Sequence, residues 1–113
     1  MLEDNNNEMD RLDREIETTR EEVEDARSNT LVQEGRWKVK EAQIIFQAKA
    51  DKLNDSSAKA KATIEAVDDY NAYLIADAKY RGCRIRLDTL VDKKESLKER
   101  NFNERAAMKC FGG

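Results

Sequence analysis

The chemistry that this sequence offers is cationic. Arg36, Lys38, Lys40, Lys49, Lys52, Lys59 and Lys61 surround the polar stretch Asn54-Asp55-Ser56-Ser57, seven bases against the three acids Glu41, Asp51 and Asp55. Ammonium and guanidinium groups gathered in this way bind phosphates by releasing condensed counterions, and they need no base readout to do so. Single-stranded nucleic acid is therefore one expected ligand of the segment, with weak sites adding up in an oligomer. A plain solvated face is the other reading of the same lysines. A second basic group, ten residues from Lys79 to Lys109, is interleaved with five acids. Spacings such as Glu95 with Lys98 suit pairing within a helix at small energetic gain.

Catalytic chemistry finds little support. There is no histidine, so Ser-His-Asp and Cys-His catalysis and most zinc sites are excluded. Gly35 and Gly82 stand singly and the other two glycines sit at the end, so no glycine-rich loop cradles a phosphate. The pairs Asp68-Asp69 and Glu21-Glu22 are adjacent, which sends their carboxylates to different sides of a helix. Cys83 falls on an apolar seam and reads as a small filler. The tyrosines and Trp37 fall on the seam too, as core more than as base-stacking surface. No enzyme activity, cofactor or metal is expected.

The elements that must carry these charges are helices. In 113 residues there are four glycines and no proline, 40% of the chain is charged, and aromatics make up 6%. Such a composition can line a seam but hardly fill a rounded core. Met9, Leu12, Ile16, Thr19, Val23, Ala26 and Thr30 alternate at steps of three and four, a heptad pattern with charge on every other face. Alone, this arm would bury almost nothing, so it is expected to be ordered chiefly in an oligomer. The register falters between Asn29 and Gly35, where a bend or break is expected because a mid-helix glycine costs about 1 kcal/mol.

Trp37, Ile44, Ile45 and Ala48 then share a face, and the helix is expected to run on to Leu53. A turn follows near residues 54–57, with Asn54 suited to a left-handed C-terminal cap and Asp55 or Ser56 to the next N-cap. From Ser57 a second helix carries Ala62, Ala66, Tyr70, Tyr73, Ala76, Tyr80, Cys83, Leu87, Leu90 and Leu97 along a seam, with alanines that let an opposing helix approach closely. At about 1.5 Å per residue it would stretch roughly 75 Å, a length that points to self-association.

The fold expected is thus all-α: an acidic heptad arm over 1–34 and a long, basic, antiparallel helical hairpin over 35–113, assembled as a coiled-coil homo-oligomer. Leu12, Ile16, Val23, Leu87, Leu90 and Leu97 are the expected oligomer contacts. Residues 1–34 hold 12 acids against 4 bases and the remainder 12 against 17. That asymmetry suits contact with a polyanion, or between the two parts of neighbouring subunits. The polar start, the absence of a long apolar run and the two distant cysteines, Cys83 and Cys110, fit a protein of the reducing cytoplasm that crosses no membrane. Asn54-Asp55-Ser56 is read as a turn rather than a glycosylation site, and Cys110-Phe111-Gly112-Gly113 as a frayed end rather than a prenylation signal.

The run Asp68-Asp69-Tyr70 through Ala78-Lys79-Tyr80, with Leu87-Asp88 and Lys94 to Phe102, resembles the C-terminal helical part of UvsY-like recombination mediators of tailed phages. Ala48-Lys49-Ala50-Asp51-Lys52-Leu53 is similar to the basic Lys-Ala-Arg-Leu patch that those proteins use on single-stranded DNA. Lys49 matches directly, Asp51 stands where the patch has Arg, and Lys52 follows it. The resemblance implies a non-enzymatic oligomer that binds single-stranded DNA in the host cytoplasm and helps a recombinase displace the single-strand-binding protein. The rival reading is a structural or inhibitory coiled-coil protein whose acidic arm docks on a protein partner.

Overall fold

The computed structural model describes the backbone of residues 2–111 and the side chains of residues 6–109. Among these the chain is all-α, with α1 over Leu2–Ala50, α2 over Asp55–Glu65 and α3 over Val67–Phe111. The tail from Cys110 to Gly113, read above as frayed, lies outside the described side chains. The contacts divide the chain into two units, Met1–Val23 with Gly82–Gly113, and Glu24–Arg81.

In the first unit the heptad arm finds its partner within the same chain. Leu12, Ile16, Leu90 and Leu97 are buried together, with Met9, Leu87 and Val91 packed around them. Lys94 pairs with Asp13, and Arg86 with Glu22 at 3.3 Å. Moving forward along α1 therefore moves backward along α3, which makes the pairing antiparallel. The expectation that the arm would lack a partner unless oligomerised is corrected here. Its narrow apolar stripe is covered by α3, whose seam has the same alternation of three and four. Of the expected oligomer contacts, Leu12, Ile16, Leu90 and Leu97 are buried in the chain itself, and Val23 and Leu87 are half-buried. Thr19 is fully buried with no hydrogen-bond partner for its hydroxyl, as is the side-chain oxygen of Asn101. Each such group costs stability on this thin core.

The second unit is also antiparallel. Trp37 meets Tyr70 and Tyr73, Lys40 meets Asp69, and Lys49 meets Asp55. Toward the turn the buried positions are nearly all alanine, namely Ala48, Ala58, Ala62 and Ala66. Side chains this small draw the helices close together. The break expected between Asn29 and Gly35 is absent, for α1 continues through both. Thr30 is buried and its hydroxyl donates to the Ala26 carbonyl at 2.8 Å, while Trp37 packs on two tyrosines. Packing on both sides of Gly35 outweighs the propensity penalty of one residue.

The turn is built differently from the expectation. Helix α1 stops at Ala50, not Leu53. Leu53 N–H donates to the Ala48 carbonyl and Lys52 N–H to that of Lys49, both at 3.0 Å. This is a Schellman closure, with Lys52 at φ 67 in the left-handed position proposed for Asn54. Asn54, at φ −73 and ψ 169, is instead the N-cap of α2, and its side chain accepts from the Ser57 N–H at 2.8 Å. Nor is the second helix continuous from Ser57. It starts at Asp55 and is interrupted at Ala66, φ −96 and ψ 12. The seam passes there from consecutive steps of four (Ala58, Ala62, Ala66) to alternating steps of three and four (Asp69, Tyr73, Ala76), a change of phase that a uniform helix accommodates poorly.

Candidate nucleic-acid interface

All seven candidate bases lie in the second unit, but they do not form one patch. Arg36, Lys38 and Lys40 sit on α1 well before the turn; Lys49, Lys52, Lys59 and Lys61 sit at it. From Lys40 to Lys49 the helix rises about 13 Å. Four of the seven are engaged by carboxylates: Lys38 with Glu34 at 2.7 Å, Lys40 with Asp69 at 3.3 Å, Lys49 with Asp55 at 3.0 Å and Lys61 with Glu65 at 3.9 Å. Arg36, Lys52 and Lys59 are exposed, and among the described residues their side chains have no ion-pair partner. The hydrogen bond and charge of Glu34 raise the Lys38 pKa above its ordinary value.

Asp55 marks the centre of the turn group. The Lys49 ammonium donates to it and stands beside it, Lys59 adds a further positive charge, and the carboxyl is held below its ordinary pKa. Both partners are more than half exposed, so the contact adds little to stability. What it adds is present above the carboxylate's unfolded pKa and is lost as pH falls through the lower, folded one. By carboxyl-carbon NMR, Asp55 will titrate at lower pH in the native chain than in Lys49→Ala. Coincident midpoints would mean that the contact does not persist in solution. An ammonium has three donors, so Lys49 can keep Asp55 and still meet a phosphate.

Lys52 is the second notable group. A left-handed backbone costs a side-chain-bearing residue roughly 1–2 kcal/mol, and glycine or asparagine is usual at this position of a Schellman closure. A lysine held there places its charge on the outside of the turn at the expense of stability. Lys52→Gly is expected to raise the unfolding free energy by about 0.5 kcal/mol, the relieved strain being partly offset by glycine's freedom when unfolded. Chemical denaturation measures it, and a less stable variant would refute the strain argument.

The residue that sequence reasoning missed is Phe46. It is 77% exposed, more than any other large apolar side chain described. It lies three residues before Lys49, on the same side of the helix. The signal was available: Trp37, Ile44 and Ala48 share the packed face, and a residue two places beyond Ile44 must point away from it. Trp37, Tyr70 and Tyr73 are committed to the fold, as anticipated, whereas Phe102 is also exposed, on α3. The Trp37 ring lies 4.7 Å from that of Tyr70 and 5.5 Å from that of Tyr73, nearly parallel to the latter. Among the described residues no group of three His, Cys, Asp or Glu could hold a metal ion, and no helix is long and apolar enough to cross a membrane.

No protein-family model, curated protein or solved structure matches the chain.

Proposed function

We propose that this chain is a non-enzymatic accessory protein of recombination that binds single-stranded DNA at the turn between α1 and α2 and acts as an oligomer. The observation that carries the reading is the combination of an exposed aromatic ring, Phe46, with the exposed bases Lys49, Lys52 and Lys59 around one turn. Single strands are held by cations along the backbone and by rings against which unpaired bases stack. Duplex DNA keeps its bases stacked on one another, so the ring favours the single strand. The resemblance of Ala48 to Leu53 to the patch of UvsY-like mediators supports the same segment, and it alone supports the recombination setting and the recombinase and single-strand-binding protein as partners. Fluorescence anisotropy with labelled oligothymidylate across a salt series tests the proposal. Binding that weakens steeply with salt is the expected result, and no binding at low salt would remove it.

The rival reading, an acidic arm that docks on a protein partner, is favoured by the exposed carboxylates Glu15, Glu17 and Glu21 on α1. Deleting the arm would uncover Leu90 and Leu97, so the cleaner comparison is Glu17→Gln with Glu21→Gln in the full chain. Loss of partner capture in a chain that binds no DNA would favour the rival, whereas unchanged DNA affinity would favour the first reading.

A further inference from the structure

We propose that the outer face of α1 in the second unit is a self-association surface, on which α1 of a second copy lies antiparallel and crosses at Gly35. Val32 and Val39 are 50% and 58% exposed, with Gly35 and Ala42 at the intervening and following heptad steps. The stripe lies on the side of the helix away from Thr30, Trp37 and Ala48, which pack inside the unit. One exposed valine needs no explanation, but consecutive positions at steps of three and four make a second seam on a helix whose first seam is already occupied.

Gly35 is an independent indication. It sits in ordinary helical backbone, and a Cβ built on it would meet nothing within 4 Å. Neither backbone conformation nor intrachain packing calls for glycine at this position. The missing side chain leaves the stripe open at this point and lets another backbone come close from outside.

Charge identifies the occupant as a second copy. Helix α1 is predominantly acidic before Gly35 and basic after it. Laid antiparallel across that residue, Val32 of one copy packs beside Val39 of the other. Glu34 of each copy then stands near Lys38 of the other, beside the ion pair that the two form within each chain, whereas a parallel arrangement would set like charges side by side. The arrangement is isologous and closes on itself as a dimer. From Val32 to Ala42 the stripe is about 15 Å long, which places the contact among small, weak interfaces. Phe46 is the next step of the same stripe, about 16 Å from the crossing and past the end of the contact from Val32 to Ala42.

Sedimentation equilibrium on the full chain tests the proposal. A dimer is expected at high micromolar concentration, and Val39→Glu, which lies on a face the protomer does not pack, is expected to halve the mass with helical circular dichroism unchanged. A wild-type chain that stays monomeric, or a Val39→Glu chain that keeps the wild-type mass, would overturn it. In a Cys83→Ser, Cys110→Ser background, Gly35→Cys should give a disulfide-linked pair on mild oxidation, because the residue at the crossing faces its own counterpart. Dissociation by Val39→Glu without that cross-link would overturn the crossing point. None of these measurements involves nucleic acid, so their outcome is independent of the DNA reading.

Discussion

Leu90→Ala will lower the unfolding free energy by about 2–3 kcal/mol, the lower part of the range for large-to-small core changes. Leu90 belongs to a buried cluster of four with Leu12, Ile16 and Leu97. The removed side chain loses its transfer energy and its contacts with both helices. The cost stays below the upper limit because the seam is only two helices thick, and water can reach the gap instead of leaving an empty cavity. Even so, the loss is large beside a typical domain stability of about 5–15 kcal/mol. Amide hydrogen exchange should accelerate first around residues 9–23 and 86–101, whose pairing depends on this cluster. Phe46→Ala is the matching control, because a side chain already exposed to water should change stability by less than about 0.5 kcal/mol. Equal destabilisation by the two substitutions would mean that the packing of the first unit is not the one described.

The largest functional effect is expected from Lys49→Gln, Lys52→Gln and Lys59→Gln combined. Each lysine that neutralises a phosphate on a single strand contributes about 0.7 to the slope of log affinity against log salt, so removing three lowers it by about 2. At low salt the affinity for oligothymidylate should fall on the order of a hundred-fold. Glutamine is preferable to glutamate, because a carboxylate at position 49 would stand against Asp55 and disturb the turn itself. The same number of changes away from the turn, at Arg36, Lys38 and Lys40, should matter less, since Lys38 and Lys40 are already paired with Glu34 and Asp69. A triple turn variant with wild-type affinity and slope would place any DNA binding elsewhere. Loss of affinity with an unchanged slope would implicate damage to the turn rather than loss of phosphate contacts.

The two effects separate by position. The cluster around Leu90 belongs to the first unit and the turn to the second. Substitutions in one should leave the other's readout near wild type, as expected of sites without shared partners.

Much of the fold was legible in the amino-acid order. The lack of proline and the three-four spacing from Met9 to Thr30 and from Tyr73 to Leu97 determined that the chain is helical and which face each helix hides. Asn54 to Ser57 marked the neighbourhood of the reversal, which the chain makes over residues 51–54. Local chemistry suffices for these features, because periodicity and capping act over a few residues. The seam could not say which helix would cover it. Leu12 and Ile16 need an apolar partner, and α3 of the same chain or a helix of another copy satisfies the spacing equally well. Only the tertiary pairing, with Asp13 beside Lys94 and Glu22 beside Arg86, decided for α3. Charge composition likewise counted seven bases near the turn, but ion pairing depends on which carboxylates the fold brings within reach, and among the described residues that left Arg36, Lys52 and Lys59 outside any ion pair. Exposure was partly legible: Phe46 and Ile44 are two residues apart and similarly apolar, and the spacing of Trp37, Ile44 and Ala48 already turned Phe46 away from their face, while the opposing helix decided how far Ile44 is covered.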